Sequence, residues 1–476
     1  MVVGQISQEK EIIIIGGGPA GYTAAIRLAQ LGKEVTLIEE NKLGGICLNE
    51  GCIPSKLFAH VAKTKEEITT TSKLGLKAES YQFSFHDLDK YKNKVVTQLR
   101  KGVDSLCKAN KIDIIQGKAI FLDKNRIGVE QEDSFPTFTF QSAIIATGAS
   151  YQPYEGIPLD GQMIVNQRTI YNLQSFPEHL IVYGTDYIAL EAAFSYRSLG
   201  SKVTLIEKNE ESFSYLDSSI KEELRKQLKK AKINVVKVNA INSYDITASS
   251  VALIVETQQG ESQLIEGTHL YVQSIPIGNV EDLGLERIGV RINEMGWIDV
   301  TNNCNTSVEN IYAIGDVTGG DQLAVKAIKQ GKVVAEKICG IPTEWDETNI
   351  PKVIHTNPPI AYVGLNEEES TNYGYAVNIG KFSLAANGFA TIIGKREGFI
   401  KIIEDRKTER ILGVHIIGAN AVELITTGVL GLEMVARKED FLFPLYPHPS
   451  LNEGILEAAE DLSNWAIHQA PVNVKS

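Results

Sequence analysis

The chain has 476 residues, 43% of them hydrophobic and 22% charged, with a net charge of −12 at neutral pH. These are the proportions of a globular protein of two to four domains. The acidic balance argues against nucleic acid or an anionic membrane as partner, and the longest apolar runs are too short to span a bilayer.

Nothing at the start reads as a basic, then apolar leader, so a soluble cytoplasmic protein is expected. Five cysteines, Cys47, Cys52, Cys107, Cys304 and Cys339, are an odd number and mostly isolated. That is not the framework of a disulfide-rich secreted domain.

Residues 11–21 read EIIIIGGGPAG. A strand leads into Gly16, Gly17 and Gly18, then Gly21; a helical pattern runs to Leu31, with Gly32 as its C-cap. A second strand over 34–38 ends at Glu39 and Glu40. Strand, glycine turn, helix, strand and acid together are the signature of a dinucleotide-binding unit, whereas three spaced glycines alone are weak evidence.

Residues 44–56 read GGICLNEGCIPSK. On an ideal helix the five-residue offset between Cys47 and Cys52 is about 140° around the axis, so their sulfurs would not meet. A bridge needs an irregular turn, which Gly51 permits, and Gly44-Gly45 let the backbone run close to a flat ligand. A following helix N-terminus would lower a thiol pKa and make one sulfur a ready thiolate. Two ordinary buried cysteines are the commoner case; the location directly after the first nucleotide-binding unit argues for a redox pair.

Residues 141–150 read as a buried strand ending in a small-residue turn. At 180–191, LIVYGTDYIALE repeats the first unit's layout 168 positions later. Gly16 falls on Gly184, Gly18 on Asp186, Gly21 on Ala189, and VTLIE at 35–39 on VTLIE at 203–207. The chain therefore carries two Rossmann-type units, and the second has Asp186 in place of its middle glycine. Residues 310–320 give a further strand running into Gly315-Asp316, with a helix over 324–338. From about Pro351 the pattern changes to strands at 360–364, 377–383, 398–404 and 411–417 and helical stretches at 420–437 and 451–467, a separate α+β domain. His448-Pro449 with Glu453 offers an imidazole that a carboxylate can orient, the pairing needed to move a proton to and from a thiol.

The chain resembles the flavoprotein disulfide reductases, the family of dihydrolipoamide dehydrogenase, glutathione reductase and mercuric reductase. The resemblance covers nearly the whole length. It rests on GGGPAG, GGICLNEGCIPSK, ATG at 146–148, YAIGDV at 312–317 and HPSLNE at 448–453. It implies an α/β fold with two Rossmann-type dinucleotide-binding domains and a C-terminal α+β dimerisation domain. The implied boundaries are 1–150 for the first part of the FAD domain, 151–270 for an NAD-binding-like domain, 271–347 for a central segment completing the FAD site, and 348–476 for dimerisation.

By resemblance, Gly16, Gly18 and Gly21 meet the FAD pyrophosphate, Glu39 the adenosine ribose, and Asp316 the ribityl chain; Gly45, Thr147 and Gly148 complete the site. Cys47 would exchange with substrate, Cys52 would face the flavin as the charge-transfer thiolate, and Lys56 would pair with Glu191 beside it. His448 and Glu453 would act on the partner's cysteines, which implies a homodimer. No metal site is expected. The absence of a cysteine beyond Cys339 excludes a C-terminal redox or mercury-binding pair, and the spelling CLNEGCIPSK is closest to dihydrolipoamide dehydrogenases. No lipoyl domain precedes the first strand, so a lipoyl group would come from another protein.

The second unit departs from the family. Asp186 puts a carboxylate against a phosphate site, while serving as a favoured helix N-cap; both readings hold together. Ile275-Pro276 stand where a Gly-Arg pair is usual, and Val325, Pro359 and Tyr446 replace other frequent residues. Gly184, Glu191 and Glu207 remain as a residual NAD site, with Glu207 placed for a ribose diol. The expectation is that FAD binds normally and NAD(H) weakly or not at all. The leading reading is an FAD-dependent dithiol–disulfide oxidoreductase with NAD closing the cycle. Its rivals are the same cysteine chemistry with another electron partner, and a non-catalytic flavin-binding subunit.

Overall fold

A computed structural model describes residues 7–76, 80–152, 156–208 and 212–470. Two sheets built on parallel cores are followed by one antiparallel sheet, each with its own buried apolar cluster.

The first sheet is centred on Gln8–Ile15, flanked by Val35–Glu39 and Thr137–Ile145, all parallel. Ile12 to Ile15 and all of Val35–Glu39 are buried, the continuous apolar run that a sheet covered on both faces requires. Ile311–Ala313 pairs with Thr137–Ile145 from far along the chain. Residues after 310 thus return to the first unit and bring Asp316 with them. The helices Pro19–Gln30 and Ala324–Ile338 pack against each other on this sheet. A Cβ at Gly331 would stand 2.7 Å from the Ala20 carbonyl oxygen, so only glycine allows that approach.

The second sheet holds His179–Tyr183 and Lys202–Lys208 in parallel. Ile12 pairs with Val35 in the first unit, and Leu180 with Val203 in the second. The 168-residue repeat read from the sequence is therefore kept down to strand register. Beyond it, Asn234–Ile246 pairs parallel with Lys202–Lys208, and Val251–Thr257 and Ser262–Gly267 extend that edge antiparallel.

The last sheet runs in the order Lys352–Ile354, Ile360–Gly364, Ile411–Ile417, Phe399–Asp405, Val377–Ser383. The helices Ala421–Glu433 and Glu453–Asp461 pack on it. Both are shorter than the apolar pattern suggests. Val435 at φ +56° and Asn464 at φ +57° turn the chain out of the helix, a left-handed conformation that a helix does not continue through.

Candidate active site

The first glycine turn has three glycines with three different reasons. Gly16 has φ +104°, and a Cβ there would lie 2.3 Å from the Ala146 carbonyl oxygen. At Gly21 a Cβ would lie 1.8 Å from the Gly16 carbonyl oxygen, so this glycine seats the helix on the strand. A Cβ at Gly18 would meet only Gly45 Cα, at 3.8 Å. The second glycine thus faces open space, and the helix it caps has no side chain on its N–H groups.

That space is a cavity of about 1020 Å³, at the upper end for small-molecule and cofactor sites. It runs from Glu39 past Gly18, Gly45, Thr147 and Gly148 to Cys52 and Asp316. Glu39 at its rim accepts hydrogen bonds from Gly17 N at 2.6 Å and Asn41 N at 2.7 Å, while burial raises its carboxyl. Asn279 pins the Thr147 turn: Thr147 Oγ1 donates to the Asn279 carbonyl at 2.8 Å, and Asn279 Nδ2 donates back to the Thr147 carbonyl at 2.8 Å. Burial pushes Asp316 up to about 6, against the opposing charge of the buried Lys326.

The cysteine run is fastened to this turn. Gly44 N donates to the Gly17 carbonyl at 2.8 Å, and a Cβ at Gly45 would stand 2.8 Å from Gly18 Cα. The two glycines thus seat the run against the first turn's backbone and bring Gly45 to the cavity wall. Cys47 lies in the short helix Gly45–Asn49, and Cys52 is the first residue of Cys52–Thr70. Between them Gly51 (φ −109°, ψ −102°) breaks the helix. This break overcomes the 140° offset of an ideal helix, and the two thiols hydrogen-bond to each other.

The pair is asymmetric. Cys52 is held below its usual value by the hydrogen bond from Cys47 and then by the charge of Lys56, against desolvation. Cys47 is pushed up by the same hydrogen bond and by burial. Cys52 is thus the more acidic of the two thiols, the bias a helix N-terminus favours. One helical turn on, Lys56 Nζ reaches Glu191 Oε1 at 3.0 Å and Oε2 at 2.9 Å. Glu191 is buried on the helix Tyr187–Leu199 of the second unit and also accepts from His355 N at 3.0 Å.

His448 and Glu453 lie in the C-terminal domain. His448 Nδ1 is 2.7 Å from Glu453 Oε1, and Ser450 N donates to Glu453 Oε2 at 2.7 Å. Partial burial would raise Glu453, but these two hydrogen bonds hold it below its usual value. The imidazole side chain is 82% exposed and is not among the residues lining the cavity of its own chain. A second pair, whose acid shares the helix Glu453–Asp461, is not legible as a pair in the sequence: His468 Nδ1 to Glu457 Oε1, 2.6 Å, which raises the imidazole. The acid four residues after Glu453 was the available signal.

In the second unit, Asp186 is the N-cap of Tyr187–Leu199, its Oδ1 accepting from Ala189 N at 2.6 Å. Glu207 is fully buried and bound to Arg225 through contacts of 3.0 to 3.3 Å. Its carboxylate is therefore turned to a guanidinium rather than open to a ribose. Gln167 and Arg225, which partner these groups, carry no motif and stand out nowhere in the sequence; Gln273 opens the stretch QSIP at 273–276, which departs from the family pattern, but its place over the turn is not legible there. Ile275–Gly278 forms a short antiparallel strand with Ala149–Gln152, leaving Ile275 largely exposed. Tyr446 donates its hydroxyl to the Phe441 carbonyl; nothing in the structure explains Val325 or Pro359.

A glycine-cradled dinucleotide cavity beside an asymmetric cysteine pair defines a flavin-dependent disulfide oxidoreductase. The model of the pyridine nucleotide-disulphide oxidoreductases matches residues 10–331, and that of their dimerisation domain residues 350–459. The chain belongs to this family. It is 37% identical over 468 residues to a dihydrolipoyl dehydrogenase of Geobacillus stearothermophilus, covering 98% of this chain and 99% of that one. It is 39% identical over 461 residues to the Thermus scotoductus enzyme of the same name, covering 96% and 98%. Among solved structures, LpdA from Mycobacterium tuberculosis matches with a TM-score of 0.88, and the HOCl-induced flavoprotein disulfide reductase RclA from Escherichia coli with 0.85. Each is 26% identical and covers 95% of this chain and 99% of the other. Among the described residues no helix is long and apolar enough to cross a membrane.

Proposed function

We propose that this enzyme oxidises a dithiol of the dihydrolipoamide type through Cys47 and Cys52, as a homodimer with FAD in the large cavity. The observation that carries the reading is the position of Cys52, at a helix start, on the wall of the glycine-cradled cavity, with Lys56 one turn behind it. The residues fit the flavin: open space at Gly18, the Glu39 carboxylate at one end, Asp316 and Lys56 toward the other. Bound there, FAD supplies a two-electron redox partner for the cysteine pair.

In the oxidised enzyme the two sulfurs form a disulfide. His448 of the partner subunit takes the proton of an incoming thiol, and Glu453 steadies the imidazolium that results. The substrate thiolate attacks Cys47 Sγ, the Cys47–Cys52 bond breaks, and Cys52 leaves as a thiolate stabilised by the helix start and Lys56. The imidazolium sheds this first proton to solvent, the freed imidazole takes the proton of the second substrate thiol, and that thiolate attacks the substrate sulfur of the mixed disulfide. Cys47 is released and protonated by the imidazole. The substrate has lost two electrons and two protons, and the cysteine pair has gained the two electrons.

The homodimer is supported by the dimerisation domain, by the exposed His448, and by an apolar surface on that domain that includes Phe443 (91% exposed) and Leu445 (100%). Large exposed apolar patches of this kind mark interfaces. The curated relatives carry the name dihydrolipoyl dehydrogenase, which supports a dihydrolipoyl dithiol, free or on a lipoyl-bearing protein, as the substrate class here. Anaerobic stopped-flow mixing of the oxidised holoenzyme with dihydrolipoamide tests the reading. Rapid growth of a long-wavelength thiolate–flavin absorbance is expected; an unchanged flavin spectrum would overturn it.

A further inference from the structure

The two units of the internal repeat are the same fold in the same register, so the first is a control for the second. In the first, Gly18 leaves the helix start uncapped and faces the cavity. Gly16 N donates to the Ile38 carbonyl, as Gly184 N does to Ile206, and the next N–H, that of Gly17, donates to Glu39. In the second, the equivalent of Gly17, Thr185, donates to Gln273 Oε1 at 2.9 Å. So far the two turns match.

They then part. Asp186 N, the counterpart of Gly18 N, donates to the same Gln273 oxygen at 3.3 Å. Ala189 N, the counterpart of Gly21 N, donates to Asp186 Oδ1 at 2.6 Å, and Gln167 Nε2 holds Asp186 Oδ2 at 3.3 Å. Gln273 is packed over the turn: a Cβ at Gly184 would lie 2.4 Å from Gln273 Cβ. The N–H groups that a pyrophosphate would use therefore already hold a carboxylate and an amide oxygen. Further out, the Glu207 carboxylate is bound by Arg225.

We propose that the second dinucleotide-binding unit is closed to pyridine nucleotides by its own side chains, with Asp186 and Gln273 standing where the pyrophosphate would bind. A nucleotide must displace both and meet the Asp186 charge. Relief of that charge alone is worth roughly fivefold to a thousandfold in affinity. Asp186 and Gln273 are thus specificity-determining residues, and Arg225 supports them by occupying the ribose carboxylate. The inference rests on the second unit alone and stands or falls apart from the dithiol reading.

The test is titration of the FAD-loaded enzyme with NADH and with NADPH by calorimetry. The native enzyme is expected to show no saturable binding at micromolar concentrations, and enzyme reduced by dithiol is expected to stay reduced when mixed anaerobically with NAD⁺. Asp186→Gly and the double variant Asp186→Gly/Gln273→Ala are expected to gain NADH affinity within the range above. Flavin content and circular dichroism report whether they fold; if either does not, Gln273→Ala and Asp186→Asn carry the same expectation with milder changes. Micromolar NADH binding by the native enzyme, or folded variants with no gain, overturns the proposal.

Discussion

Lys56 and Glu191 join the cysteine helix to the helix of the second nucleotide-binding unit, with Lys56 Nζ 2.9 Å from Glu191 Oε2. The carboxylate is 1% exposed, whereas the lysine keeps 34% of its side-chain surface. Glu191 thus fixes a cation one turn behind Cys52, on the far side of the break at Gly51. The pair links the two halves of the repeat at the point where the redox sulfur sits.

Removing the cation should be visible at the sulfur. An opposite charge a few ångströms away lowers a pKa by about 1–3 units. Lys56→Met is therefore expected to raise the Cys52 pKa, read from the pH dependence of the long-wavelength thiolate–flavin absorbance in reduced holoenzyme. The variant also leaves Glu191 buried with only His355 N as partner, so a lower melting temperature should accompany the shift. An unchanged thiolate titration would show that Cys47 and the helix start hold the thiolate without Lys56.

The two cysteines should separate by role. Cys47→Ser is expected to lose dithiol oxidation yet keep the thiolate–flavin absorbance, because Cys52 and Lys56 remain. Cys52→Ser should lose both. Retention of FAD by each variant, measured from protein-bound flavin absorbance, is expected because the glycine turn and Asp316 are untouched. Equal absorbance in the two variants would contradict the asymmetry of the pair.

Much of this site is legible in one sequence because its residues sit in short motifs with backbone reasons. Gly16 and Gly21 answer steric demands of the chain itself, Gly18 leaves the cavity open, and Gly51 sits where the helix must break between the cysteines. The terminal strands at 360–417 are legible from alternation alone. The strand Lys352–Ile354 is too short to show a period, and the antiparallel extension over 234–267 was not anticipated. Glu207 shows the limit of a motif. Its place at the end of VTLIE is kept, but its partner Arg225 comes from a helix 18 residues on, and no spacing rule couples the two. Gln273 is less legible still, since an amide that reaches back across 88 residues to Thr185 N leaves no local trace.

The base should act across the dimer. His448→Ala is expected to slow thiol exchange by about 10²–10⁴-fold with flavin content unchanged. Glu453→Gln should cost less, since it leaves the imidazole in place but removes the carboxylate at 2.7 Å that steadies its charge. Mixed dimers of Cys47→Ser and His448→Ala chains contain one site with both groups intact, so mixing two nearly inactive proteins should restore turnover. No recovery after verified subunit exchange would place cysteine and histidine of one site on a single chain.

Asp186 also gives a stability signature. Desolvation pushes its carboxyl from 3.8 up to about 6, partly offset by the hydrogen bonds from Ala189 and Gln167. The folded value lies above the unfolded one, so between these pH values the folded state binds more protons. Stability from this group therefore falls as pH rises from about 4 to about 6, and the loss persists above. Asp186→Asn keeps an N-cap acceptor and removes the titration. Its stability relative to the native chain should improve across that window and level off at higher pH, by about 1–3 kcal/mol at pH 7.5, part of the carboxylate still facing solvent. Denaturant unfolding of the FAD-loaded proteins at pH 5 and 7.5 measures the difference. A gain that is equal at both pH values, or larger in acid, would mean that the carboxylate is not destabilised by burial. Asp186 would then be an ordinary exposed cap.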